Sequence, residues 1–183
     1  MDTLSDNALM LKVKEDDFDK MALLFERYHR ALFGFLFKMT KQKQSSEDLV
    51  QNVFFRMLKY RNTFTGVGEF KTWMYHLARN VLHDYFKQIK RSEAQYDIRD
   101  FEDRMGAHEL ADLQIERKQE LKTLEMALEN LSEENRELLI LCRYQELKYN
   151  EIAEILNITE GAVKVRVHRA LGQLKSNYLK IAN

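Results

Sequence analysis

A chain of 183 residues with no proline and only six glycines lacks most of the punctuation that closely spaced strands need at their turns. Its periodic runs are filled instead with Leu, Lys, Glu, Met and Ala, which lose little on entering a helix. The expectation is an all-α protein. Charged residues make up 32% of it and hydrophobic residues 45%, a globular composition with material for one medium domain or two small ones. The lone Cys142, set in LLILCRY, has no partner for an intramolecular disulfide, so it fits a reducing compartment and a packed thiol. No run approaches the roughly 18 apolar residues of a membrane span, and no signal-type apolar stretch opens the chain, so a cytoplasmic protein is expected.

The most regular stretch is FKTWMYHLARNVLHDYFKQIKR, from Phe70 to Arg91. At helical period Phe70, Trp73, Met74, Leu77, Val81 and Tyr85 fall on one side, the stripe of a helix buried along one face. Thr72, Tyr75, Arg79, His83 and Phe86 fall on the other side, followed by Lys87, Lys90 and Arg91. Rings interleaved with cations suit single-stranded nucleic acid, where each stacked base contributes roughly 1 to 3 kcal/mol. An amphipathic helix whose outer rings pack on a neighbour accounts for the same pattern.

Upstream, Leu4, Ala8, Leu9 and Leu11 behind a Ser5 cap form a first helix or a loose arm. From Asp17 a longer stripe follows, with Phe18, Met21, Ala22, Phe25, Tyr28, Leu32, Phe35 and Leu36. Lys38 to Gln44 reads as a connector, and Ser45 with Asp48 as a capping box. The next run turns Leu49, Val53, Met57 and Tyr60 inward and leaves Asp48, Gln51, Asn52 and Phe55 outside. That outer face is either a solvated surface with a capping acid or a docking surface in which polar groups surround a ring. Residues 61–69, with Gly66 and Gly68, form a loop that places Phe64 near the outer face of the Phe70–Arg91 helix.

After Arg91 the acids Glu93, Asp97, Asp100, Glu102, Asp103, Glu109, Asp112 and Glu116 accumulate against two arginines. This is expected to be a flexible acidic linker over residues 92–119, separating a first domain, 1–91, from a second, 120–183. The formal net charge of zero is therefore an average over opposite patches. In the second domain Leu121, Leu124, Leu128 and Leu131 precede a helix capped by Ser132, with Leu138, Leu139, Leu141 and Tyr144 on its stripe. Ile152, Ala153, Leu156, Ile158, Val163, Val167, Leu171 and Leu174 then have the spacing of two helices joined at Asn157–Thr159, a helix-turn-helix. Its second helix turns Val165, His168, Arg169 and Gly172 outward beside Lys164 and Arg166. Arginine can hold guanine through two hydrogen bonds and valine can meet a thymine methyl, although any three-helix bundle can carry a basic outer helix.

Nothing in the chain assembles a catalytic centre. His29, His76, His83, His108 and His168 make no metal-ligand spacing, and no glycine-rich phosphate loop or nucleophile motif is present. Neither an enzyme nor a cofactor is expected.

These motifs together resemble the extracytoplasmic-function (ECF) group of bacterial RNA polymerase sigma factors, which keep only the region-two and region-four domains; the likeness covers nearly the whole chain. By that resemblance EDLVQNVFF docks on the β′ clamp coiled coil of core RNA polymerase, which also contributes its β subunit, through Asp48, Gln51, Asn52 and Phe55. Asn52 stands where an acid is common in the family. The Phe70–Arg91 stretch resembles the element that melts and reads the minus-ten promoter sequence. Phe64 and its loop then lie near a flipped base, Asn80 makes a contact, and Tyr75, Arg79, His83, Phe86, Lys87 and Arg91 complete the surface. ENLSEENRELLIL, YNEIAEILNI and GAVKVRVHRAL resemble region four, with Lys164, Val165, Arg166, His168 and Arg169 in the major groove of the minus-thirty-five element. An anti-sigma factor, often membrane-bound in this family, is a further implied partner. The other reading is a two-domain regulator that binds duplex DNA only, since response-regulator output domains share the helix-turn-helix pattern.

Overall fold

The structure is a computed structural model that describes residues 4–95 and 115–182. Among the described residues there are eight α-helices and no strand, as the absence of proline implies. The chain divides into two compact units, the first built on α1 to α4 and the second on α5, α6, most of α7, and α8.

In the first unit α1 (Asp6–Lys14) starts at Ser5, whose hydroxyl accepts from the Ala8 amide at 3.2 Å. It is a packed helix rather than an arm, because Leu9, Met10 and Val13 are wholly buried. α2 (Asp19–Thr40) buries Met21, Leu24, Leu32, Phe35, Leu36 and Met39. It stops where Lys41 turns left-handed, at φ 60°, and returns its amide to the Phe37 carbonyl. α3 (Lys43–Lys59) follows at once and packs on both α2 and α4 (Phe70–Gln95). The connector is thus shorter than expected, and Ser45 lies inside the first turn of α3 rather than capping it. Its hydroxyl donates to Gln42 Oε1 at 2.8 Å, and Gln42 takes the cap position in extended backbone with no side-chain cap bond.

Several other expectations fail in the first unit. Tyr75, expected on the wet side of α4, is wholly buried and meets Phe35 edge-on, with ring centroids 5.6 Å apart. Thr72 is buried beside it. α4 packs against α1 and α3 and reaches α2 through that ring pair, so its apolar arc is wider than one stripe and takes in Ala78 and Leu82 as well. Phe64 is also buried, its ring against Phe70 and Trp73 at 6.1 and 5.3 Å. Tyr60, expected inside, is exposed, as are Phe18 and Phe25, although Phe25 stacks on His29 and leans on Phe54.

The second unit holds α5 (Ile115–Glu129), α6 (Glu133–Leu139), α7 (Tyr149–Leu156) and α8 (Glu160–Ala182). Ser132 caps α6 through the Asn135 amide, as its sequence indicates. α6 runs on into a π-helical turn, Ile140–Tyr144, in which the Gln145 amide reaches back to the Ile140 carbonyl. Ala127, Leu128, Leu131, Leu138 to Leu141, Leu147, Ile152, Val163, Val167 and Ala170 make the core. Leu121 and Tyr144, expected on the inner stripes, are exposed: α5 packs chiefly on α8, and the widened turn rotates Tyr144 away from the α-helical stripe. Of the expected linker, residues 92–95 belong to α4 and residues 115–119 to α5. The remaining acidic residues lie outside the described residues.

Candidate nucleic-acid interface

Three faces carry the side chains singled out by sequence. On α3, Asp48, Gln51, Asn52 and Phe55 are all exposed and lie within two turns. Phe55 shows 63% of its surface, an unusual position for a large ring, and polar groups surround it. Gln44 Nε2 reaches Asp48 at 3.4 Å, and Arg56 Nε donates to Asn52 Oδ1 at 3.1 Å. The other end of the same guanidinium meets Asp84 of α4 at 2.6 Å. Arg56 therefore joins this face to α4, and neutralises an acid that would otherwise repel phosphate.

Along α4 the exposed residues His76, Asn80, His83, Lys87 and Arg91 follow one another at helical spacing. His76 was not among the expected contacts. Its position four residues before Asn80, with Asn80 Nδ2 and His76 Nδ1 3.4 Å apart, was the available signal. Arg79 and Phe86 are half-buried, the latter against Tyr85 at 5.5 Å. Trp73, expected in the core, is also only half-buried, its indole N–H near the Thr63 hydroxyl at 3.4 Å. The rings of Phe64 and Tyr75 are absent from this face. Burial pushes the Tyr75 hydroxyl well above the ordinary tyrosine range, as expected of a group removed from water.

α8 presents the third face. Thr159 caps it through the Ala162 amide at 3.2 Å, and Asn157, at φ 53°, makes the left-handed step between α7 and α8. Val163, Val167 and Ala170 anchor the helix inside, which turns Lys164, Val165, Arg166, His168 and Arg169 into water. Val165 is half exposed among cations, and the Lys164–Glu160 pair at 3.2 Å is a solvated one of little energetic weight. Beside Arg169 a groove of about 710 Å³ separates α8 from the α5–α6 junction. Asn135, Gln173 and Lys180 line it, and Asn135 bonds Gln173 across it at 2.7 Å. Such polarity suits a hydrated phosphate backbone better than an apolar ligand. Among the described residues no three His, Cys, Asp or Glu side chains are grouped to hold a metal ion.

Residues 24–92 match the family model for sigma-70 region 2, and residues 121–174 that for sigma-70 region 4. The ECF RNA polymerase sigma factor SigX of Bacillus subtilis (strain 168) is 32% identical over 161 residues, which cover 85% of this chain and 81% of SigX. The chain belongs to the ECF RNA polymerase sigma factors. It is accordingly a DNA-binding factor of transcription initiation, and the duplex-only regulator is not favoured. Two solved structures share the fold of this sigma factor. CnrH, in complex with the cytosolic domain of CnrY, superposes with a TM-score of 0.71 at 19% identity, over 93% of this chain and 95% of that one. RpoE of Bartonella quintana, in complex with the anti-sigma factor NepR, superposes with a TM-score of 0.64 at 24% identity, over 91% and 99%. No helix among the described residues is long and apolar enough to cross a membrane.

Proposed function

We propose that this sigma factor docks on core RNA polymerase through Asp48, Gln51, Asn52 and Phe55, reads the minus-ten element with α4, and reads the minus-thirty-five element with α8. The observation that carries the reading is Phe55, a ring 63% exposed within a row of polar side chains. A free surface gains nothing from such a ring, whereas a partner that covers it gains about 1.5 to 3 kcal/mol of burial. On α4 the exposed Asn80, His76 and His83 supply hydrogen bonds to unpaired bases, and Lys87 and Arg91 supply charge to phosphates. Phe86 and Trp73, being half-buried, are the rings within reach of a base; Tyr75 and Phe64 are structural in this arrangement. On α8, Arg166, Arg169 and Lys164 flank Val165 in the manner of a major-groove reader.

In this reading the protein performs no covalent step and acts in the cytoplasm, where polymerase and promoter are. Binding energy from both elements offsets the few kcal/mol needed to unstack a base. An anti-sigma factor that covers the α3 or α4 face would be a natural inhibitor, and RpoE, which shares the fold, was solved with the anti-sigma factor NepR. The test is capture of purified bacterial core polymerase by the wild-type chain and by an Asp48→Ala, Gln51→Ala, Phe55→Ala variant. Capture that the triple substitution abolishes, with its helical content intact, bears out the docking face. Equal capture by both proteins removes these residues from it.

A further inference from the structure

Asn7, in the first turn of α1, has no part in the contacts above, yet it makes three hydrogen bonds to backbone on the far side of the first unit. Its Oδ1 accepts from the Phe70 amide at 2.8 Å, a group 63 positions along the chain. Its Nδ2 donates to the Gly68 carbonyl at 2.8 Å and, more weakly, to the Gly66 carbonyl at 3.4 Å. The Phe70 amide opens α4 and has no acceptor within its own helix, so Asn7 caps α4 from another element. An amide side chain presents one acceptor and two donors on a single planar group. Turned over, it would set donor against donor and acceptor against acceptor, so the three bonds fix its orientation.

Two more residues on the same face of α1 support the segment. Lys14 Nζ donates to the Phe64 carbonyl at 2.8 Å, and the Leu11 methyl carbons lie 3.3 Å from where a Cβ on Gly66 would stand. Asn7, Leu11 and Lys14 are spaced four and three residues apart, along one side of a helix. Gly66 and Gly68, at φ 76° and 81°, would otherwise give this loop wide freedom. α1 grips it by its carbonyls and its inner surface, and so leaves Thr65, Val67 and Glu69 exposed at the tip, Val67 by 87%. The loop ends where α4 begins, about 9 Å along the axis before His76.

We propose that Asn7 is a positioning residue for promoter recognition: by clamping residues 64–70 it fixes the loop geometry that decides which bases the first unit accepts. This rests on the assignment of the loop and α4 to the minus-ten element. A loop fixed before binding loses less freedom on meeting DNA, and it tolerates fewer base shapes than a mobile one.

The test uses holoenzyme reconstituted from bacterial core polymerase and the full chain, with promoter DNA randomised over both elements. Wild type, Asn7→Ala and Asn7→Asp are compared, together with amide hydrogen exchange at residues 64–72. Asn7→Ala should free the Phe70 amide and lower base preference by up to about tenfold at one or two downstream positions, the ceiling set by the loop ordering that about two neutral hydrogen bonds supply. Upstream preference and core affinity should hold. Asn7→Asp keeps the acceptor, so the Phe70 amide should stay protected while its carboxylate repels the Gly68 carbonyl and the same preferences fall. Unchanged exchange in Asn7→Ala would show that the clamp does not exist in solution. Freed amides with unchanged preferences would show that the loop does not set base choice, and a uniform loss on every sequence would reduce Asn7 to a structural residue. A wild-type holoenzyme with no downstream preference would instead overturn the minus-ten reading itself, leaving the exchange result to stand on its own.

Discussion

Tyr75→Ala distinguishes a structural ring from a base-stacking one. The residue is wholly inaccessible and meets Phe35 at 5.6 Å and 84°. An aromatic side chain hides about 150 to 250 Å², which at about 25 cal/mol per Å² sets an upper limit of about 4 to 6 kcal/mol. Aromatic truncations in cores cost about 3 to 5 kcal/mol, cavity included, and about 4 kcal/mol is expected here. For a unit of this size each kcal/mol moves the midpoint by about 4 to 8 °C, so the variant should melt roughly 15 to 30 °C early. The chain has one tryptophan, Trp73 in α4, so its fluorescence follows the first unit alone during thermal unfolding of the whole protein. A shift of only a few degrees together with defective promoter opening would refute the packing account and restore Tyr75 to the DNA-facing surface.

Alkaline pH should weaken the first unit. Burial raises the hydroxyls of Tyr28 and Tyr75 above their ordinary value, so the folded state favours the protonated phenol; that stability is complete below about pH 10 and falls as pH rises, by at most about 1.4 kcal/mol per unit per group. Denaturant midpoints measured across that range check it, and Tyr75→Phe should flatten the slope seen by Trp73. Gly66→Ala should cost about 1 to 2 kcal/mol for its left-handed backbone plus the push of a Cβ 3.3 Å from Leu11, whereas Gly68→Ala, in open space, should cost the backbone term only; equal melting temperatures would contradict the placement of Leu11. Replacing Lys87 and Arg91 by alanine should make the salt dependence of single-stranded DNA binding shallower by about 0.7 per lost contact, and an unaltered slope would exclude them as phosphate contacts.

Much of the site was legible in the sequence because helical spacing alone decides which side chains share a face. The α3 row and the α8 row lie on the exposed faces that helical spacing predicts, since the buried arc of each helix, wide as it is on α3, stops short of them. α4 was harder to read: Tyr75 follows Met74 directly, and both are buried because the helix has packed neighbours on more than one side. No single-stripe projection predicts that. Phe64 was misplaced for a related reason, as a loop with two left-handed glycines can return a ring to the core that its neighbours in sequence would leave in water. The Asn7 contacts could not be read from sequence at all, because nothing local links α1 to a turn some sixty positions on.

The widened turn at Ile140–Tyr144 also bears on which lengths of this chain can fold. A π-helical turn holds more residues than an α-helical one, and so absorbs extra chain without rotating what comes after it. Loss of one residue there, such as the exposed Arg143, would let the helix close to ordinary winding while the segments on either side keep their facings. The same deletion between Lys164 and Arg169 would swing every later side chain of α8 by about 100°, taking Val167 and Ala170 out of the core. A single-residue deletion should therefore be tolerated at the first position and excluded at the second.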